Sequence, residues 1–404
     1  MQHVVVIGAG QAGASLTAKL RSEGFAGKIT LIGGEAVPPY QRPPLSKAYL
    51  LGEMAEERLY LRPESYYAEQ DIDLRLATRA VAIDTANRQI TLSDDSVVAY
   101  DALALTTGAH PRTLPASIGG MLDNVFTVRD LKDADAMAPA FRDGARALII
   151  GGGYIGLEAA AVAAKRGVQV TLVEMADRIL QRVAAPQTSA YFRALHQAHG
   201  VDVREGVGLT RLIGTDALTG AELSDGTILD LDFAIVGVGI NPAVTLAEAA
   251  GLTIDNGISC DAHSRTSDPH IWAAGDCASC LFDGTRVRVE SVGNAIDQAE
   301  NAALNILGRA IPYQPKPWFW SDQYDCKLQI AGLNIGYTDV VVRKGEAAGS
   351  QSHWYYKGDQ LIAVDAMNDP RNYMVGKRLI EGGRSPAASV IADPATDMKA
   401  LLRA

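Results

Sequence analysis

The sequence predicts an α/β protein with two doubly wound domains of parallel strands, the second inserted in the first, and a C-terminal α+β domain with an antiparallel sheet. Three observations predict it. A strand, tight turn, helix and strand occur twice in the chain, the segment after the second copy returns to apolar strand patterns that complete the first, and the final segment alternates apolar and polar side chains. The chain has 404 residues, enough for two or three domains at about 150 residues each.

The elements follow in order. His3–Ile7 is a short apolar strand, Gly8-Ala-Gly10-Gln-Ala12-Gly13 is a tight turn, and an amphipathic run stops at Gly24 before the strand Lys28–Ile32. The second copy reads Ala147-Leu-Ile-Ile, then Gly151-Gly-Gly153-Tyr154-Ile155-Gly156, a helix stopping at Gly167, and the strand Val168–Val173. Between and after them, Asp101–Gly108 and Thr266–Asp276 are buried-strand patterns that end in glycine turns, the latter in Gly275-Asp276. Pro312, Pro315 and Pro317 mark a linker. Beyond it, Lys327–Ile330, Val340–Arg343, Ser352–Tyr356 and Leu361–Val364 alternate as strands, and a helix starts after Pro370. The boundaries that follow are 1–110 and 239–315 for the first domain, 111–238 for the inserted one, and 316–404 for the last.

A single G-x-G-x-x-G turn is weak evidence, but here the required strand and helix flank it twice. The first glycine permits the turn, the second lets the backbone approach a diphosphate, and the third lets helix and strand pack closely. The diphosphate then lies on a helix N-terminus, where free N–H groups and the dipole favour an anion. An acid at the end of the next strand accepts from a ribose hydroxyl; the first copy offers Glu35 and the second Glu174. Two such Rossmann-like sites in one chain suggest two different cofactors, a flavin and a nicotinamide. Glu174 repels a 2′-phosphate and favours NADH, although Arg178 and Arg182 follow within two helical turns.

Composition bounds the partners. The formal charge of −10 excludes a nucleic-acid surface, which calls for a basic excess. The deficit is unevenly spread: residues 310–404 hold 11 Lys plus Arg against 10 Asp plus Glu, among them Arg343, Lys344, Arg371, Lys377 and Arg378. Four cysteines are too few for a disulfide-stapled secreted scaffold, no apolar run approaches a membrane span, and no secretory leader pattern opens the chain. The expectation is a cytoplasmic protein of a reducing compartment, monomeric or weakly dimeric.

In these strings the chain resembles the two-dinucleotide-fold flavoproteins that include glutathione reductase. More closely it resembles the NADH-dependent ferredoxin reductases of bacterial oxygenase systems. The resemblance rests on Pro39-Tyr-Gln-Arg-Pro-Pro-Leu-Ser-Lys47, Gly151–Glu158, Ala274-Gly-Asp-Cys277, Glu290-Ser-Val292 and Trp318-Phe-Trp-Ser-Asp-Gln-Tyr324. It implies that Gly8, Gly10, Ala12, Gly13 and Glu35 hold the adenosine half of FAD, with Arg42 and Ala80 near the adenine and Arg129 contacting the cofactor. It implies Asp276 at the ribitol, Val292 near the isoalloxazine, and Lys47 at the flavin's reactive edge, paired with Glu158. It also implies an NADH path along Gly151, Gly153, Tyr154, Ile155, Gly156, Glu158, Glu174, Arg182 and Gly239. Where several relatives carry an acid this chain has Gly34, so Glu35 or backbone alone meets the ribose. Physically, a fixed cation such as Lys47 favours the reduced flavin's negative charge and a carboxylate offsets that bias.

The cysteines decide how electrons leave. A disulfide reductase needs a dithiol beside the flavin, and neither region that would carry one contains a cysteine; the four are Cys260, Cys277, Cys280 and Cys326. Cys277 and Cys280 have redox-motif spacing but follow Gly275-Asp276, and read as small apolar fillers. His196 and His199 fall near a helix end before Gly200, serving its dipole rather than a metal. The resemblance therefore implies electron delivery to a [2Fe-2S] ferredoxin, with Trp320 on the exit side, and the charge balance of residues 310–404 points to docking of that acidic partner near the C-terminal basic residues. Two other readings stand beside it: a flavin disulfide or nitrite-type reductase, and a redox-sensing flavoprotein like apoptosis-inducing factor.

Overall fold

The computed structural model describes residues 1–403. The chain divides into two compact units, one built from Met1–Gln41, Ala55–His110 and Ile240–Pro317, the other from Arg42–Met54, Pro111–Gly239 and the chain from Trp318 onward.

In the first unit five parallel strands lie in the order Ile271–Ala273, Ala102–Leu105, His3–Ile7, Lys28–Ile32 and Ile72–Arg75. Successive side chains of a strand point to opposite faces. Val4 and Val6 accordingly pack with Leu16, Leu20, Ala299 and Ala302 of the helices Gln11–Ser22 and Val292–Ile306, while Val5 and Ile7 pack with Ile83, Ile90 and Leu103. With both faces covered, the strand reads as an unbroken apolar run. Ile83 and Ile90 come from a three-stranded antiparallel sheet, Ala80–Asp84, Gln89–Leu92 and Val97–Ala99. The sequence reading did not anticipate this sheet, because its strands are half exposed and short.

The second unit repeats the plan with Asp202–Glu205, Gln169–Glu174, Arg146–Ile150, Phe233–Val236 and Val125–Phe126, all parallel. It also holds a five-stranded antiparallel sheet in the order Trp318–Gln323, Cys326–Gly332, Gln360–Met367, Gln351–Lys357 and Asp339–Lys344. The helix Pro370–Glu381 starts on Asp369, whose carboxylate accepts from the Asn372 N–H at 3.2 Å, and packs Tyr373, Val375 and Leu379 around the fully buried Trp354. Gly376 is required there, since a Cβ would come 2.7 Å from Val364. Four of these five strands match the sequence reading. The fifth, Trp318–Gln323, does alternate: Ser321 and Gln323 are buried and Asp322 is exposed. Three aromatic residues in its first half mask that period. Among the described residues no helix is long and apolar enough to cross a membrane.

Candidate functional site

Each fingerprint turn is built by its glycines in the same way. Gly8 (φ +111°) and Gly151 (φ +106°) lie against carbonyl oxygens, Thr106 O at 2.2 Å and Gly237 O at 2.5 Å from where a Cβ would sit. Gly13 and Gly156 each bring that position to 2.1 Å from the first glycine's carbonyl oxygen, so helix and strand meet at van der Waals contact. The middle glycines differ: around Gly10 and Gly153 that position has no neighbour within 4 Å. The helices Gln11–Ser22 and Tyr154–Lys165 start on these two residues with no side-chain cap. Open space over an uncapped helix N-terminus fits a diphosphate in both places.

Around the first turn, Ala12 is buried and its Cβ lies 3.1 Å from the position a Gly275 Cβ would take. That brings Asp276, which follows strand Ile271–Ala273, to the same end of the sheet. Glu35 accepts a hydrogen bond of 2.6 Å from the Tyr40 hydroxyl. Gly34 faces Arg79, whose guanidinium carbon is 3.1 Å from where a Cβ would sit. Ala80 opens the strand Ala80–Asp84, and Val292 opens the helix capped by Ser291.

Around the second turn, Glu174 ends strand Gln169–Glu174, and its two oxygens accept from Gly152 N at 2.8 Å and Ala176 N at 2.9 Å. The carboxylate is thus fixed beside the turn with lone pairs left for a ribose hydroxyl. Arg178 is turned onto the Ser189 hydroxyl at 2.5 Å, which commits one of the two cations that weighed against NADH. Arg182 is exposed, and a nitrogen of its guanidinium is 3.7 Å from the absent Cβ of Gly239 (φ +106°). Ile155 is about half exposed, and the Tyr154 hydroxyl is buried with no partner.

The third cluster lies wholly in the second unit. The short helix Pro43–Ser46 delivers Lys47, and the fingerprint helix delivers Glu158, 4% exposed. Lys47 Nζ donates to Glu158 Oε2 at 2.6 Å, Ser46 Oγ donates to the same oxygen at 3.0 Å, and Ser321 Oγ donates to Oε1 at 2.7 Å. The predicted pair is present, and the two serines were missed. Ser46 stands inside the Pro-Pro-Leu-Ser-Lys string, but nothing in the string separates its role from that of its neighbours. Arg42 donates to the Arg129 carbonyl at 2.8 Å, so these two residues also meet. Trp320 is partly exposed and stacks on Trp318 with ring centres 5.5 Å apart, while Lys377 Nζ sits 5.2 Å over Trp318.

This geometry can be compared with known proteins. Residues 2–299 match the pyridine nucleotide-disulphide oxidoreductase family model, and residues 318–402 match the reductase C-terminal model. The chain belongs to the pyridine nucleotide-disulphide oxidoreductase family. It is 42% identical to a 5,5′-dehydrodivanillate O-demethylase ferredoxin reductase subunit of Sphingobium sp., over 99% of this chain and 98% of that one. It is 41% identical to putidaredoxin reductase of Pseudomonas putida, over 100% of this chain and 97% of that one. A crystal structure of the covalent putidaredoxin reductase–putidaredoxin complex aligns at TM-score 0.96 and 40% identity, covering 100% of this chain and 98% of that chain.

The family name carries a disulphide, yet all four thiols of this member are free and buried. Burial pushes Cys277 and Cys280 up and Cys326 up to about 11, so none has the thiolate character a redox cysteine needs. Cys277 Sγ donates to the Leu105 and Ala274 carbonyls, the role of a small core residue. Two expectations are corrected. His196 does not serve the helix dipole: it is fully buried, with Nε2 on Gln323 Oε1 at 2.8 Å and Nδ1 on the Tyr324 hydroxyl at 3.2 Å. Only His199 does so, donating to the Leu195 carbonyl while stacked on Tyr324. Arg343 is not a surface cation, because its guanidinium is buried against the carbonyls of Ile391, Asp393, Pro394 and Thr396. Lys344, Arg371 and Arg378 are exposed.

Proposed function

We propose that this protein is a cytoplasmic, NADH-dependent FAD enzyme that reduces a [2Fe-2S] ferredoxin serving a haem-thiolate monooxygenase or a ring-hydroxylating oxygenase. The observation that carries this reading is the full-length likeness to ferredoxin reductases, C-terminal segment included, in a chain whose thiols are all buried. One NADH and two oxidised ferredoxins give NAD⁺, a proton and two reduced ferredoxins. Bound FAD supplies acceptance of a hydride and release of its electrons singly.

The chain's own residues bind and position. Residues 1–110 and 239–315 form the FAD domain, in which Gly8, Gly10, Ala12 and Gly13 receive the diphosphate and Glu35 a ribose hydroxyl. Arg42, Ala80, Arg129, Asp276 and Val292 complete that site. In the NAD domain, 111–238, the turn from Gly151 to Gly156 receives the NADH diphosphate, Glu174 accepts from the 2′-hydroxyl, and Arg182 borders its path, with Gly239 at the domain boundary on the other side. Lys47 and Glu158 set the charge that the flavin's reactive edge meets. Trp320 marks the exit side of the C-terminal interface domain, 316–404, where Lys377, Arg378, Lys344 and Arg371 favour an acidic partner.

The test is NADH-driven reduction of a panel: a [2Fe-2S] ferredoxin of an oxygenase system, a rubredoxin, thioredoxin and a small disulfide. The expected result is fast ferredoxin turnover that slows with added salt, and silence on the disulfides. Turnover of the disulfides with no reduction of either iron protein would sink the reading.

A further inference from the structure

Behind Ser321 the hydrogen bonds continue, and they all run one way. Gln323 Nε2 donates to Ser321 Oγ at 3.1 Å, and Gln323 Oε1, which can only accept, takes the Nε2–H of His196 at 2.8 Å. That fixes the His196 tautomer and leaves Nδ1 as the acceptor for the Tyr324 hydroxyl at 3.2 Å. Burial lowers the imidazole to about 4, so the ring is neutral at neutral pH and this tautomer holds. Tyr324, His196, Gln323 and Ser321 therefore form a single file of donors ending on Glu158 Oε1, while Lys47 and Ser46 occupy Oε2. Ser321, Gln323 and His196 are each at most 1% exposed.

We propose that this chain is a positioning and charge-tuning device for Glu158, with Ser321 as its decisive residue. The inference rests on the reading of Lys47 and Glu158 as the pair that sets the flavin's potential. Bonds in a chain polarise one another, and in a low-dielectric interior an oriented file of dipoles offsets part of the charge it points at. Its positive ends face Glu158, so it weakens the carboxylate's opposition to Lys47 and makes the flavin easier to reduce. It also ties the strand that carries Trp320 to the helix that carries Glu158. A neutral amide stands in the middle of the file, so its role is orientation rather than proton transfer.

The experiment is the two-electron midpoint potential of the flavin-loaded full-length protein, measured by dye equilibration, with melting temperature as a parallel readout. Ser321→Ala is expected to lower the equilibrium constant for reduction about tenfold, a shift of about 30 mV to more negative potential. Ser321→Thr keeps the hydroxyl and restores the wild-type value. Gln323→Leu shifts it the same way by less, and Tyr324→Phe by least, whereas a merely structural role would rank the variants by stability loss instead. Glu158→Gln moves the potential in the opposite direction. If Glu158→Gln shifts the potential and Ser321→Ala leaves it unchanged or raises it, the chain proposal fails and the reading of the pair stands. If neither variant moves it, the reading of the pair fails and this inference with it.

Discussion

Two buried carboxylates of the second unit invite comparison. Glu158 is 4% exposed and Asp365 is 1% exposed, and each is the hub of a polar network in an apolar surround. Glu158 has an ammonium at 2.6 Å as well as two hydroxyls. Asp365 is met by hydroxyls alone: Tyr355 OH, and Thr188 Oγ1 at 2.7 Å, which also touches His353 Nδ1 at 2.7 Å. A carboxylate removed from water must be paired or keep its proton. Glu158 takes the first course, and burial drives Asp365 toward the second, raising it to about 6 against the pull of its two hydroxyl donors. The difference teaches where charge is put to use. The network holding a fixed ion pair joins Lys47 and the fingerprint helix Tyr154–Lys165 to the strand that carries Trp320, and the one with no cation joins the helix Pro186–Ala198 to the antiparallel sheet.

The largest effect expected from this contrast is on the paired hub. Lys47→Met leaves the Glu158 charge buried without its cation, a loss of about 3–5 kcal/mol. Lys47→Met with Glu158→Gln removes both charges and regains most of it. Melting temperatures of the two variants check this, and a double variant no more stable than the single one would show that Glu158 does not need a cation. A smaller effect is expected at the other hub. Thr188→Val removes one donor from Asp365 and one partner from His353, costing about 1–3 kcal/mol, with the flavin's midpoint potential unchanged. A shift in that potential would mean the two networks are coupled and the contrast is wrong.

The sequence carried much of this and not all of it, for physical reasons. Both fingerprint turns were legible because close backbone approach admits only glycine, as at Gly13 and Gly156, and the strands His3–Ile7 and Lys28–Ile32 because a strand buried on both faces must be apolar throughout. Lys47 and Glu158 stand 111 residues apart, and only the family resemblance brought them together. Ser321, Gln323 and His196 had no such signal. A serine, a glutamine and a histidine gain a role only from folding against each other, and alternation in Trp318–Gln323 was masked by its aromatic residues. Arg343 misled for the same reason: charge is visible in sequence, whereas the four carbonyls that bury it are contributed by a segment about fifty residues downstream.

The smallest effect separates the hubs by pH. A carboxyl raised from 3.8 to about 6 binds its proton more tightly folded than unfolded, so the stability it contributes is present at low pH and lost as pH rises through that window. His353 and His196 act oppositely: burial lowers both from 6.5 to about 4, the unfolded chain binds the protons more tightly, and stability rises with pH across nearly the same range. Among these three groups, two rising contributions against one falling one leave a net rise between about pH 4 and 6.5. Asp365→Asn removes only the falling part. Its melting temperature, measured relative to wild type, should therefore climb from pH 4 to pH 6 and then stay level, with Tyr355 and Tyr154 silent because burial holds both phenols far above that range. A difference that is flat across pH 4 to 6 would mean that Asp365 is ionised in the folded protein throughout, and that hydroxyl donors alone suffice where Glu158 has a lysine.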